Sequence, residues 1–126
     1  MPALKIIPFR VVVVVAEKVN EDWREQVSRW LVASGCLYMM AWGDECSRWD
    51  DSVDHANLEE FDYGDIPEER FVMTTWHERE SLAEVFWFAE HCACHPTIEL
   101  ATVILDIAAT PRESELLALY TDAGNA

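Results

Sequence analysis

Two groups of side chains in this sequence have the types and spacing to do chemistry. Asp44, His77 and Glu78 would make a histidine set between carboxylates, which is the composition of a general base or a cation ligand. His91, Cys92, Cys94 and His95 crowd four metal-capable groups into five residues. On a helix His91 and His95 would share a face at i, i+4, the spacing that lets two imidazoles reach one ion, with Cys94 as a further ligand. Residue 95 precedes Pro96, which disfavours helical geometry there, and no second ligand pair with finger or ribbon spacing accompanies the cluster. The plainer reading therefore leads: cysteines in the core, histidines at the negative end of a helix, and no bound metal or other cofactor.

A third feature is one of charge. Eleven of the 24 acidic residues lie between Asp44 and Glu69, a segment whose one strong base is Arg48 and whose aromatics are Trp49, Phe61 and Tyr63. A solvated acidic tail would omit the aromatics, so the mixture marks an ordered surface that is negative and adhesive. The residues expected to bind a partner there are Trp49, Asp50, Asp51, Asp54, Glu59, Glu60, Phe61, Asp62 and Tyr63, with Trp49 or Tyr63 exposed. Large aromatics are core by default, Trp42 and Trp76 among them.

The formal charge of −15 argues against nucleic acid and anionic membrane as partners, since both repel the chain and neither gains counterion release from carboxylates. A basic protein is the natural complement. A calcium loop starting at Asp50 fails, because His55 and Phe61 stand where glycine and glutamate are needed. The four glycines are scattered, which excludes a glycine-rich phosphate loop, and neither a serine elbow nor a histidine near Cys46 in sequence supports nucleophilic catalysis.

The elements that must position these groups alternate. Pro8 precedes a β-branched run, Phe9 to Ala16, suited to a strand buried on both faces. Asn20 followed by Glu21 and Asp22 starts a helix with Trp23, Val27, Trp30 and Leu31 on one face and Gly35 at its end. Cys36 to Trp42 is a second strand. Ser47 to Phe61 is a helix with Trp49, Val53, Ala56 and Leu58 inward, ended before Gly64 and Pro67. Phe71 to Trp76 is a third strand, and Ser81 with Glu84 forms a capping box. The helix it opens carries Val85, Phe86, Trp87, Phe88, Ala89 and Cys92, which predicts burial on more than one side, with Pro96 as its stop. Leu100 to Ile107 is a fourth strand and Arg112 to Tyr120 a last helix.

The order β-α-β-α-β-α-β-α predicts a small three-layer α/β fold, a mostly parallel four-stranded sheet with helices on both faces, as one domain over residues 1–126. Sites in such sheets gather at the carboxyl ends of strands, here Ala16 to Lys18, Trp42 to Asp44, Thr75 to Glu78 and Asp106 onward. The apolar run from Met1 to Ala16 lacks a cleavage site and is too short to span a bilayer, so the expected location is cytoplasmic. The four cysteines are then read as reduced thiols, two or three of them buried.

The stretches Trp49 to Tyr63 (WDDSVDHANLEEFDY), Phe71 to Glu78 (FVMTTWHE), Glu84 to Ala89 (EVFWFA) and His95 to Leu100 (HPTIEL) resemble a family of small uncharacterised bacterial proteins known as a domain of unknown function. The resemblance spans about Gly35 to Ile107 and implies a bacterial, intracellular setting; no catalytic residue carries over from it. The leading functional expectation is a cytosolic, non-enzymatic interaction module, of immunity or regulatory type, that binds a basic protein through its acidic surface. The alternatives are a small enzyme or metal-dependent sensor using Asp44, His77 and Glu78, and a homo-oligomeric scaffold.

Overall fold

The computed structural model describes residues 7–108 and 111–125. Strand β1, Phe9–Val15, is the central strand its β-branched run predicts, buried at every position but Arg10. Helix α1, Glu21–Ala33, begins where the Asn20 side chain accepts the Trp23 amide at 2.8 Å, and it closes through Ser34 onto Gly35, whose φ of 103° favours glycine. Strand β2, Cys36–Gly43, leads into α2, Cys46–Glu60; a 3-10 turn, Glu68–Arg70, precedes β3, Met73–His77. Helix α3, Leu82–His91, carries the complete Ser81/Glu84 capping box, and β4, Ala101–Ile107, is followed by α4, Glu113–Gly124.

The four strands pair in the order β3-β2-β1-β4, every pair parallel. Alternation along β1 divides the core in two: Val11, Val13 and Val15 meet α1 and α2, and Val12 and Val14 meet α3 and α4. The chain steps outward from β1 to β3, then returns to place β4 on the free side of β1, so the connection reverses between β1 and β4. Gly43 has φ +104°, and a Cβ there would lie 2.2 Å from the Val15 carbonyl oxygen. Its bare backbone lets Asp44 donate its amide to that same oxygen at 2.9 Å.

Several expectations need correction. β3 starts at Met73 rather than Phe71, because the Val72 amide is taken by Asn57 Oδ1 of α2 at 3.0 Å. Leu58 points to solvent, and Asn57 holds the inward position, its amide nitrogen also donating to the Arg70 carbonyl at 3.1 Å. Helix α3 is buried on one side only, through Val85, Phe86 and Ala89; Trp87 and Cys92 are exposed, since it lies in an outer layer. Helix α4 runs four residues beyond Tyr120, with Ala123 buried in the α3–α4 core. No helix among the described residues is long and apolar enough to cross a membrane.

Candidate functional site

His77 closes β3, and its two ring nitrogens are both engaged. Nδ1 donates to Glu80 Oε2 at 2.5 Å, and Nε2 is hydrogen-bonded to the Thr75 hydroxyl at 2.9 Å. The expected grouping with Asp44 and Glu78 is therefore not assembled: Asp44 is exposed at the end of β2, Glu78 is exposed in the loop after β3, and the carboxylate on His77 is Glu80. The hydroxyl–imidazole–carboxylate connectivity is that of a nucleophile, its base and an orienting acid. The His77 ring is only 6% exposed and packs edge-on against Phe88. Trp42 Nε1 donates to the Glu80 carbonyl at 2.8 Å beside it, so the trio ties the β3–α3 loop over the sheet.

The histidines of the second group are dispersed. α3 ends at His91, so His95 lies beyond the helix and shares no face with it. His95 Nδ1 accepts the amides of Thr97 and Ile98, each at 3.1 Å, which puts the proton on Nε2, and Nε2 donates to the Glu68 carbonyl at 3.2 Å. Neither ring nitrogen is left for an ion. His91 stacks on Trp87 and meets the Gly124 carbonyl at 3.2 Å, while Cys92 and Cys94 are exposed and free. Among the described residues no three His, Cys, Asp or Glu side chains converge to hold a metal ion. Cys36 and Cys46 are the buried thiols; burial pushes Cys36 up to about 12, which leaves it an inert core group.

The acidic segment divides by helical period into inward and outward sets. Trp49 is fully buried between the helices and the sheet, set edge-on to Trp23 with ring centroids 6.4 Å apart, and Asp50 is 6% exposed. These two expected partner-binding residues are thus withdrawn from the surface, because positions 49, 50, 53, 56 and 57 form the face that α2 turns to the core. Asp51, Asp54, Glu60, Asp62 and Tyr63 are exposed, and Glu59 and Phe61 are half-buried. Several of these are already engaged: Glu59 with Arg29 at 3.2 Å, Glu60 with Arg70 at 3.7 Å, and Phe61 beneath the Arg70 guanidinium at 5.2 Å. Asp54 accepts the Thr74 hydroxyl at 2.8 Å. Among the described residues no base comes within ion-pairing reach of Asp51, Asp62, Asp65, Glu68 or Glu69.

Tyr63 projects from this field with 61% of its surface exposed. Asp62 and Tyr63 are successive non-glycine residues in the left-handed region, at φ 51° and 61°. The turn is held by the Tyr63 amide on the Leu58 carbonyl at 2.8 Å and by the Tyr63 hydroxyl against His55 Nε2 at 3.3 Å. Two such conformations cost on the order of 1 kcal/mol or more each, so the rest of the structure sustains an unfavourable turn that presents an aromatic. Leu58 is exposed on the same outward side of α2.

Two concave regions escaped the reading of the residues. One, about 590 Å³, lies between β4 and α4, floored by Ile104 and Leu116 and flanked by the Asp106–Arg112 ion pair. The other, about 380 Å³, lies between α1 and α2 and is lined by Arg24, Arg48, Asp51 and Ser52 among others. The signal for the second was present but faint: Arg24 sits on the apolar face of α1, one turn before Ser28 and two before Leu31.

Fold and surface together define a small, all-parallel α/β protein of three layers with an acidic helix face. The chain belongs to the family described as domain of unknown function (DUF7684), whose model matches residues 1–123. No curated protein and no solved structure matches it.

Proposed function

We propose that this protein is a cytosolic, non-catalytic docking module, of immunity or regulatory type, that captures a basic protein through the outward side of α2 and the turn that follows. The carrying observation is the strained Asp62–Tyr63 turn, which holds an exposed aromatic beside Asp62 and Asp65, carboxylates that no base among the described residues pairs with. The carboxylates supply long-range attraction and Tyr63 with Leu58 supplies desolvated contact area, the division of labour by which charged interfaces associate quickly and selectively. The nearby bases are already paired within the segment's own rim, Arg29 with Glu59 and Arg70 with Glu60.

The test is capture of a native partner by the tagged chain, with native mass spectrometry to identify it. The partner is expected to be basic, stoichiometric and released by salt. Reversing Asp51, Asp62 and Asp65 to lysine should weaken binding by about tenfold or more, and Tyr63→Ala by a similar factor. Reversal of Glu113 and Glu115 on the distant α4 changes net charge without touching this side and should leave affinity within about threefold. Equal losses from both sets of reversals would reduce the effect to net charge and sink the assigned face.

A further inference from the structure

Glu45 stands immediately before α2 in the left-handed region, at φ 51° and ψ 35°, and offers the helix no side-chain cap. Its carboxylate is ringed by three bases: Lys18 Nζ at 3.8 Å, Arg48 Nε at 3.8 Å and Arg24 Nη1 at 4.0 Å. A chain with nine lysines and arginines and a charge of −15 thus spends three of its bases around one carboxylate. Every one of these contacts is longer than a charge-assisted hydrogen bond, about 2.7–2.9 Å. The carboxylate attracts three cations and grips none.

Arg24 is the decisive residue. It is 6% exposed, yet its Nε has no hydrogen-bond partner among the described residues. A buried donor left unused costs on the order of 1–3 kcal/mol, so native proteins seldom keep one without a reason. The same side chain lines the 380 Å³ groove between α1 and α2, next to Arg48 and Ser52. The 15-residue α2 points its positive end at this corner, and its first turn contains no acid to neutralise that end. The corner lies at the carboxyl ends of β1 and β2, beside the Gly43 turn.

We propose that this corner binds a small phosphate monoester, whose tetrahedral oxyanion displaces the loosely held Glu45 carboxylate and contacts Arg24, Arg48 and Lys18. A phosphoryl group carries more charge and more acceptor oxygens than the carboxylate, and the Arg24 guanidinium offers it a planar fork of donors. The rest of the groove is lined by Arg29, which pairs with Glu25 and Glu59, by His55, and by the Ser52 hydroxyl and the carboxylates of Glu21 and Asp51, unpaired among the described residues. These repel a polyanion and favour a body bearing an amine or hydroxyl, so the ligand class is a phosphorylated amino alcohol or polyol rather than a nucleoside polyphosphate.

The experiment is an NMR titration of the full chain at low salt with phosphoethanolamine, inorganic phosphate and ethanolamine as probes. Phosphoethanolamine is expected to shift the Arg24 Nε–H signal and the Ser47 and Arg48 amides, inorganic phosphate to do so more weakly, and ethanolamine not at all. Glu45→Gln removes the internal competitor and should tighten phosphoethanolamine binding about tenfold, while Arg24→Lys should weaken it about tenfold. Should Arg24→Lys fail to fold, Arg48→Ser alters an exposed side chain and should weaken binding about threefold. The proposal is overturned if ethanolamine matches phosphoethanolamine, if Glu45→Gln and the arginine variants leave the affinity unchanged, or if no shift appears even in Glu45→Gln.

Discussion

Asp50 shows how a single side chain can belong to two descriptions. In composition it is one more acid of an acidic segment; in the structure it faces inward, and its Oδ2 has no hydrogen-bond partner among the described residues. Burial holds its carboxyl above the ordinary value of 3.8, and the neighbouring Asp54 charge pushes the same way. The folded state therefore prefers Asp50 neutral. Its favourable contribution is complete below pH 3.8 and is lost as pH rises through the elevated folded-state value. Asp50→Asn, neutral at every pH, should have a higher urea midpoint than the parent at neutral pH, and the advantage should vanish on acidification below that point. A parent protein more stable than the variant at neutral pH would mean that the ionised carboxylate is the form the site holds.

At the scale of elements, the ends of strands matter more than their middles. β1 and β2 are recognisable from their runs of buried side chains, but their joint carboxyl end depends on one glycine lying against the Val15 carbonyl. Gly43→Ala would combine a positive φ with a 2.2 Å approach to backbone, which no rotamer change relieves. We expect a loss of roughly 2–4 kcal/mol in equilibrium unfolding. An unchanged denaturant midpoint would show that the β2–α2 turn moves aside at little cost. The β3–α3 connection is organised differently, by His77 between Thr75 and Glu80, and the α2–β3 connection by the two hydrogen bonds of Asn57. Neither arrangement was visible as a motif, because each joins residues whose proximity depends on where a helix or loop settles on the sheet edge.

At the scale of the molecule, the charge of −15 sets the response to salt. The ion pairs that do form, such as Arg29–Glu59 and Arg70–Glu60, join half-exposed side chains, and pairs of that kind contribute about 0–1 kcal/mol each. Self-repulsion among the remaining carboxylates outweighs them. Raising sodium chloride from about 10 mM to about 150 mM, which shortens the screening length from roughly 30 Å to 8 Å, should raise the melting temperature by a few degrees. A fall would assign the larger share to the ion pairs. The sequence by itself determined the four strands, the four helices, their alternation and the parallel sheet, because hydrophobic period, capping residues and glycine punctuation act over a few residues. It also located the acidic segment. Only the tertiary structure decided which acids face outward, that Trp49 and Asp50 are core, that His77 belongs to Glu80, and that Arg24 lies buried beside Glu45 with a donor to spare. Those outcomes depend on the rotation of each helix about its axis and on contacts between distant segments, which a pattern read along the chain does not encode.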